Sequence, residues 1–259
     1  MAIISLIGSG KVATQLGKRL YECGHTIDQI FSRNYTTAVQ LARAVEATAI
    51  VRIEQLTPTA GFYIVAIKDD SIIELLPQLD AISTKIIAHT SGTVSSSIFE
   101  SYFDHYGVFY PLQTFSSQRV VDFDTLPFCI HANDANTLEQ LTTLAQSICP
   151  NVYQIDDKKR ASLHVAAVVV NNFSNYLFDM ASDICYQEGV SFDILKPLIL
   201  ETVSKIQEHS PSSVQTGPAA RQDHQTIQKH LHFLQNKPVY QHIYQLISEA
   251  IMQQQKQKI

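Results

Sequence analysis

Residues 2–10 read AIISLIGSG, and KVATQLGKRLYECG follows at 11–24. The first stretch is a short apolar run that ends in glycines, which predicts a buried strand and a tight turn. The second has apolar residues at helical spacing, and Gly24 suits its C-terminal end. A strand, a glycine turn and a helix in this order predict the start of a βαβ unit.

The same alternation continues along the chain to about residue 156 and then stops. Strands that alternate with helices predict an α/β domain, a Rossmann-like parallel sheet with helices on both faces, over 1–156. Only helical periodicity remains afterwards, which predicts an all-α domain over 157–259. The stretch 160–188 is apolar on nearly all sides, so we expect a helix that is buried on most of them. The tail QQQKQKI, 253–259, is expected to fray.

The glycine turn has the form GxGxxA and predicts a dinucleotide site. Its first glycine permits the tight turn, its second lets a pyrophosphate approach the backbone, and Ala13 lets the helix pack closely on the strand. The free N–H groups of the helix N-terminus would bind the phosphates. The residues expected at the cofactor here are Gly8, Ser9, Gly10, Lys11 and Val12. The alternative is a turn that only connects strand and helix.

The end of the second predicted strand indicates which dinucleotide is bound. Ser32-Arg33-Asn34 stands where a carboxylate would hold a ribose hydroxyl, and Asp28 lies too early. Arginine cannot accept hydrogen bonds from hydroxyls, but it pairs with phosphate and stacks on adenine. Ser32 and the backbone of Asn34 can add donors. The pattern favours the 2′-phosphate of NADP(H), and a solvated surface arginine is the alternative.

Two further strand ends are expected at the same cleft, because ligands of open α/β sheets lie outside the carboxyl ends of the strands. Ala66 and Ile67 would cover the nicotinamide ribose, and Thr90 and Ser91 would bond near the nicotinamide. At least one of the two aspartates at 69–70 is expected to cap the next helix.

Polar residues on the apolar helix suggest a second, catalytic site. His164 and Asn171 lie within about 20° on a helix, and Asn172 lies about 80° away. Polar groups in such surroundings need partners or a wet cavity, although a satisfied core histidine is the simpler explanation. Further on, Arg221 and Asp223 either form an ion pair that ties down a loop, or Arg221 faces an anionic group of the substrate or the cofactor cleft. Asn171, Arg221 and Asp223 are the candidates for contact with the substrate.

Composition excludes several classes of protein. The net charge of −5 does not favour nucleic acid, and no run approaches the roughly 20 apolar residues of a membrane helix. The four cysteines are scattered without metal-ligand spacing, so no metal is expected. Only 17% of residues are charged, which indicates buried helices or a subunit interface. We expect a soluble cytoplasmic protein.

The chain resembles bacterial proteins that join an NADP-binding Rossmann-like domain to a DUF2520 domain and are labelled as candidate NADP oxidoreductases. The motifs are GSGKVA, HTSG at 89–92, YPLQTF at 110–115, LHVAAVVVNNF at 163–173 and TGPAARQDHQTIQKHL at 216–231. Broader relatives are pyrroline-5-carboxylate reductase, ketopantoate reductase and the β-hydroxyacid dehydrogenases.

The last two relatives use a lysine and an asparagine four residues apart on the first long helix of the second domain. Asn172 fits the asparagine position, whereas Val168 stands in place of the lysine. His164 is then a substitute proton donor. The family tends to have histidine where this chain has Tyr110, a second, weaker acid.

The resemblance implies an NADPH-dependent reductase of a small carbonyl or imine compound. The apolar helix suggests a homodimer through the helical domain, with Arg221 reaching the partner's cleft. The alternatives are an NADP-binding sensor or assembly protein without catalysis, and a deazaflavin-dependent NADP reductase.

Overall fold

The computed structural model describes residues 1–116 and 118–256. The chain forms two compact units, Met1–Asn172 and Phe173–Ile259. The sequence analysis places a boundary at 156/157, whereas the helix Asp157–Ala167 belongs to the first unit in the structure. The tail 253–259, for which fraying is expected, lies in part outside the described residues.

The first unit is built on an eight-stranded sheet with the order β3-β2-β1-β4-β5-β6-β7-β8. Its strands are β1 (Ile3–Ile7), β2 (Thr26–Phe31), β3 (Thr48–Ile50), β4 (Phe62–Val65), β5 (Ile86–His89), β6 (His105–Pro111), β7 (Phe128–Ala132) and β8 (Val152–Gln154). Neighbouring strands are parallel except β6 and β7, which are antiparallel. The predicted Rossmann-like sheet is confirmed, but it is mostly rather than wholly parallel. An antiparallel pair needs no crossover helix, and β6 is joined to β7 by a loop.

Helices cover both faces of this sheet. The α-helices of the chain are α1 (Lys11–Glu22), α2 (Tyr35–Ala44), α3 (Asp70–Leu75), α4 (Ala135–Gln146), α5 (Asp157–Ala167), α6 (Ser174–Gln187), α7 (Lys196–Glu208), α8 (His224–Phe233) and α9 (Pro238–Lys256). Side chains alternate across a strand, so Ile4 and Leu6 of β1 pack in one core with α1, α2 and α4, while Ile7 packs in a second core with α3. The sheet therefore holds the ends of its strands rigidly between two cores.

The predicted helix 160–188 differs from the structure in two ways. It is divided into α5, a π-helix Val168–Phe173, and α6. Most of its side chains are half-buried or exposed, and Arg160 is the residue of these elements that is buried. The expectation of burial was wrong for a single chain, because the chain supplies no cover for most of these apolar faces.

The second unit is helical, as predicted, and contains α6 to α9. Within the described part of the chain, no helix combines the length and the apolar character that crossing a membrane requires.

Candidate active site

A cleft of about 1580 Å³ opens at the carboxyl ends of the strands, and all the residues that line it belong to the first unit. It takes in the glycine turn after β1, the ends of β2 to β6, and part of α5 and the π-helix. Fifteen positions predicted for cofactor binding or catalysis line it: Gly8, Ser9, Gly10, Lys11, Val12, Ser32, Arg33, Asn34, Ala66, Ile67, Thr90, Ser91, Tyr110, His164 and Asn172. Asn171, predicted at the substrate, lines it too. One cavity thus joins the predicted cofactor and catalytic residues.

The glycine turn is packed tightly against the neighbouring strands. Gly8 has φ +128°, which favours glycine, and a Cβ there would lie 2.2 Å from the carbonyl oxygen of Ala66. Its N–H donates to the carbonyl of Phe31 at 2.8 Å. The Ser9 hydroxyl is 2.6 Å from that of Thr37 in α2. The ends of β2 and β4 and helix α2 therefore fix the shape of the turn.

The N-terminus of α1 is left free for an anion. Gly10 occupies the N-cap position without a side-chain cap, and the first turn holds no acidic residue. A Cβ on Gly10 would meet nothing within 4 Å. The first N–H groups of a helix have no intrahelical partner and attract phosphate, so this end of the cleft fits a pyrophosphate.

The Ser32-Arg33-Asn34 stretch is positioned by β2 and β3. The Ser32 N–H donates to the Ile50 carbonyl at 3.1 Å. Asn34 caps α2 by accepting from the Thr37 N–H at 3.3 Å. The Asn34 N–H donates to the Ser32 hydroxyl at 3.2 Å, so the expectation that this backbone donor is available to a ligand was wrong. The exposed Arg33 side chain lines the cleft.

A second arginine, which the sequence analysis missed, lines the same part of the cleft. Phe31 of β2 pairs with Ile50 of β3, and Arg33 and Arg52 each follow two residues later. Neither forms an ion pair with a carboxylate of the described residues at the distances that define the other pairs, 4.0 Å or less. The signal was a cation directly after the third strand, in VRI at 51–53.

The ends of β4 and β5 are joined by hydrogen bonds, partly through side chains. Thr90 N–H donates to the Val65 carbonyl at 3.0 Å. Asp69 stands at the N-cap position of α3 without a side-chain cap bond. Its carboxylate accepts instead from the hydroxyls of Ser91 at 2.9 Å and Thr93 at 2.7 Å. One of the two aspartates is thus at the N-cap position, as expected, but the Asp69 carboxylate stabilises the turn after β5 instead of capping the helix, and Asp70 is the first residue of α3.

Tyr110 and His164 form a hydrogen-bonded pair at the cleft. The Tyr110 hydroxyl is 3.0 Å from Nδ1 of His164. Burial raises the pKa of Tyr110 to about 12, so the phenol keeps its proton at neutral pH. A protonated phenol can donate to Nδ1, and the imidazole tautomer that accepts this bond carries its proton on Nε2.

Gly92 makes this pair possible. A Cβ at this position would lie 2.3 Å from Nδ1 of His164 and 3.0 Å from Cζ of Tyr110. The imidazole therefore lies directly against the backbone of the HTSG turn. The resemblance had marked this turn as a motif, without giving its glycine a role.

Both asparagines lie in the π-helix and line the cleft. Val168 lines it too, and residues three and four positions after it also share its face on a regular α-helix. π-helical turns are rare, and they occur often at functional sites. The absence of lysine at Val168 leaves an apolar side chain in the position that carries the cation in the dehydrogenases.

A buried ion pair anchors the beginning of α5, and the sequence analysis missed it. Arg160 is 0% exposed. It donates from Nη1 to Asp157 at 2.5 Å and from Nη2 to the Val94 carbonyl. The second oxygen of Asp157 accepts from the Ser95 hydroxyl and from the N–H and hydroxyl of Ser96 at 2.7–2.9 Å.

These bonds decide the charge of Asp157. Burial would raise its pKa, but the hydrogen bonds from Ser95, Arg160 and Ser96 outweigh burial and lower the pKa to about 2. Nearby, His89 is 0% exposed, and its Nδ1 accepts from the Ser91 N–H at 3.2 Å. Burial, followed by the charge of Arg160, lowers the pKa of His89 to about 4. Its imidazole is neutral at physiological pH.

Arg221 and Asp223 lie in the second unit. Asp223 caps α8 by accepting from the N–H of Thr226 at 3.0 Å and from its hydroxyl at 2.7 Å. These bonds lower the pKa of Asp223, and the charge of Arg221 adds to the effect. Arg221 is exposed, and the two side chains do not form one of the ion pairs found among the described residues. The ion-pair alternative was therefore wrong. The described residues of the chain contain no cluster of three or more side chains suited to a metal ion.

Comparison with known proteins agrees with this geometry. Residues 3–91 match the family "NADP oxidoreductase coenzyme F420-dependent", and residues 126–251 match "Domain of unknown function (DUF2520)". Comparison with curated proteins gives no significant match. Among solved structures, BF3122 from Bacteroides fragilis, named as a candidate NADP oxidoreductase, is 39% identical with a TM-score of 0.89, over 97% of this chain and 98% of that one.

Two more distant structures share the fold. An imine reductase from Myxococcus stipitatus in complex with NADP+ is 12% identical with a TM-score of 0.67, over 97% of this chain and 93% of that one. A pyrroline-5-carboxylate reductase from Coxiella burnetii is 14% identical with a TM-score of 0.62, over 99% and 98%.

The fold and the matches define an NAD(P)-dependent oxidoreductase class with a Rossmann-like nucleotide domain and a helical second unit. This chain belongs to the family of candidate NADP oxidoreductases that includes BF3122 from Bacteroides fragilis. The resemblance described from the sequence motifs is thereby confirmed.

Proposed function

We propose that the protein reduces a small imine or carbonyl compound with NADPH. The observation that carries the proposal is the single cleft, which has a phosphate-binding helix end, two arginines and a Tyr110–His164 pair. When bound, the cofactor supplies a hydride. The protein must hold the cofactor, orient the substrate and provide a proton.

The residues at the nucleotide end fit NADPH better than NADH. The turn Gly8–Gly10 and the N-terminus of α1 would hold the pyrophosphate. Ser32 and Arg33 would hold the 2′-phosphate, because a guanidinium pairs with phosphate and has no acceptor for ribose hydroxyls. Ala66, Ile67, Thr90 and Ser91 would surround the nicotinamide half. The Ser91 hydroxyl donates to Asp69 and accepts from the N–H groups of Thr93 and Val94, and the Ser91 N–H donates to His89. We therefore assign the contact of Ser91 with the cofactor to its backbone carbonyl.

We assign the proton donor to His164. With Nδ1 accepting from the Tyr110 hydroxyl, 3.0 Å away, the proton available for the substrate is on Nε2. As Nε2 gives up its proton, Nδ1 would take the proton of the Tyr110 phenol, 3.0 Å away, and the phenolate left behind would regain a proton from solvent in the open cleft. A general acid held in this way contributes typically 10²- to 10⁴-fold to rate.

Asn171 and Asn172 would orient the substrate by amide hydrogen bonds. Leu112, Leu163 and Val168 give this part of the cleft apolar walls, which suit a small, largely apolar compound. Imine and carbonyl compounds are the proposed substrates because the fold is shared with imine and pyrroline-5-carboxylate reductases, and because both groups accept a hydride and a proton.

Two rival functions each have one observation in favour. Val168 in the lysine position favours a protein that binds NADP(H) without catalysis. The match to the coenzyme F420-dependent family over residues 3–91 favours hydride exchange between NADP(H) and a deazaflavin.

A single panel separates the three. NADPH oxidation is followed with cyclic imines, keto acids, small aldehydes and the oxidised deazaflavin, and NADPH affinity is measured in parallel. Turnover with an imine or carbonyl compound is the expected result. Turnover with the deazaflavin alone would replace the proposal by the third function, and tight binding without turnover across the panel would favour the second.

We also propose that the protein pairs with a second copy of itself through the helical unit. Helix α7 exposes Leu198, Leu200, Val203 and Ile206, with exposed fractions of 43–68%. Such a row of apolar side chains calls for a cover. Sedimentation analysis is expected to give a dimer that Leu200→Lys weakens and Glu208→Lys, on the same helix, does not; a monomeric wild type would contradict the proposal.

A further inference from the structure

We propose that Asp157 and Arg160 are positioning residues for His164. They tie the first turn of α5 to the turn after β5, and so set the distance between the His164 imidazole, the Gly92 backbone and the Tyr110 hydroxyl. The proposal rests on the proposed function of His164 as proton donor. Neither residue lines the cleft, so both act through the helix and the turn.

Hydrogen bonds between residues 94–96 and the side chains of Asp157 and Arg160 anchor the first turn of α5. Asp157 accepts three hydrogen bonds from Ser95 and Ser96, while Arg160 binds both Asp157 and the carbonyl of Val94. Residues 94–96 thus receive bonds from two charged side chains of one helical turn. The Arg160 side chain is buried, whereas that of Asp157 is 26% exposed. A hydrogen bond to a buried charge is stronger than in water, and leaving that charge unpaired is costly.

The anchor at Arg160 also determines the position of His164, one turn further along α5. Arg160 and His164 are four residues apart, so they lie on the same face of α5, about one turn from each other. Arg160 meets the turn at Val94, and His164 meets it at Gly92, where a Cβ would be 2.3 Å from Nδ1. The two contacts lie two residues apart on the turn. A shift of α5 that lengthened the first contact would therefore also withdraw the imidazole.

The turn after β5 is also held on the side opposite α5. Asp69 accepts from the hydroxyls of Ser91 and Thr93, the residues that flank Gly92. The turn is held to β4 by these bonds and to α5 by the ion pair. His164 is thus placed against a surface that is fixed from both sides, which suits a proton donor that has to meet its substrate within hydrogen-bond distance.

A matched control exists in the same unit. Arg19 also binds one carboxylate, Asp124 at 2.9 Å, and one carbonyl, that of Ile148 at 2.9 Å. It lies in the last turn of α1 and does not line the cleft. Arg19→Met and Arg160→Met each remove a guanidinium with two such partners, but Arg160 alone is connected to His164.

The experiment measures the histidine directly, on the full-length protein labelled with ¹⁵N. In the wild type, we expect the His164 ring to show one tautomer, with Nδ1 as acceptor and the proton on Nε2. Arg160→Met is expected to give a mixture of tautomers, and Arg19→Met to leave the signals unchanged. Arg160→Lys keeps a buried cation near Asp157 and serves as the milder variant if Arg160→Met fails to fold; it is expected to give a smaller change in the same direction.

Turnover and cofactor affinity complete the test. With a substrate from the panel, Arg160→Met or Arg160→Lys is expected to lower kcat by about 10- to 100-fold, with NADPH affinity within about twofold of wild type. His164 signals unchanged in a folded Arg160 variant would overturn the proposal, as would equal losses of kcat in Arg19 and Arg160 variants of equal thermal stability. If no substrate is found, the proposed function fails, whereas the ring signals still decide whether the pair positions His164.

Discussion

Gly92→Ala should separate cofactor binding from proton transfer. The added Cβ would lie 2.3 Å from Nδ1 of His164, whereas ordinary contact begins near 3.4 Å. The imidazole must therefore retreat by about 1 Å, which breaks its 3.0 Å hydrogen bond with Tyr110. The nearest obstacle is a side chain rather than backbone, so the substituted chain can fold by rotating His164 away.

A displacement of about 1 Å at a reacting group can cost on the order of 100-fold in rate, which corresponds to about 2.7 kcal/mol of activation free energy. We expect kcat for the best imine or carbonyl substrate to fall by that factor, with little change in NADPH affinity. Steady-state kinetics, calorimetric titration and a melting curve give the three quantities.

Gly61→Ala is the control, because a Cβ there would be 3.9 Å from its nearest neighbour, the Ile3 carbonyl. It should retain wild-type turnover. If folded Gly92→Ala turns over substrate as fast as Gly61→Ala, then the close approach of His164 to the turn plays no part in the reaction.

The other predictions concern the cofactor, the phenol and pH. Arg33→Ala should weaken NADPH by about 1.5–3 kcal/mol and NADH very little, while Arg43→Ala on α2, outside the cleft, should change neither; equal losses for both cofactors would refute the selector role. Tyr110→Phe should lower kcat by about 10- to 100-fold at unchanged NADPH affinity, and unaltered kcat would remove the phenol from the mechanism. Burial lowers the pKa of His89 to about 4. The neutral imidazole of His89 therefore contributes stability above the unfolded pKa of about 6.5, and this stability is lost as the pH falls to about 4. Chemical denaturation should show up to about 3 kcal/mol of such loss, and folded His89→Asn should show a flatter profile; identical profiles would contradict the assignment.

The nucleotide half of the cleft was predictable because it depends on local patterns. A strand, a glycine turn and a helix can be read from consecutive residues, and the carboxyl ends of parallel strands meet at one edge of the sheet. That rule alone predicts that Gly8, Arg33, Ala66 and Thr90 lie at one cleft, as they do in the structure. The same rule also predicts Arg52 at this cleft, because Arg52 follows the end of the third strand, but the sequence prediction included no residue of that strand end.

The catalytic half was predictable only in its residue types. Sequence spacing indicated His164 and Asn172, but the π-helix that contains both asparagines has no clear sequence signal. Arg160 binds Val94, 66 residues away, and Asp157, three residues away. Because arginine side chains are mostly exposed, the burial of Arg160 could not be predicted from the sequence. The antiparallel β7 likewise depends on the loop that precedes it rather than on its own apolar residues.

The central claim is that this cleft selects NADPH. The most direct test is calorimetric titration of the wild-type protein with NADPH and with NADH under the same conditions. The account predicts one NADPH bound per chain, with an affinity about tenfold or more above that for NADH, the equivalent of one charge-assisted hydrogen bond. Equal affinities, or binding of neither nucleotide, would contradict it.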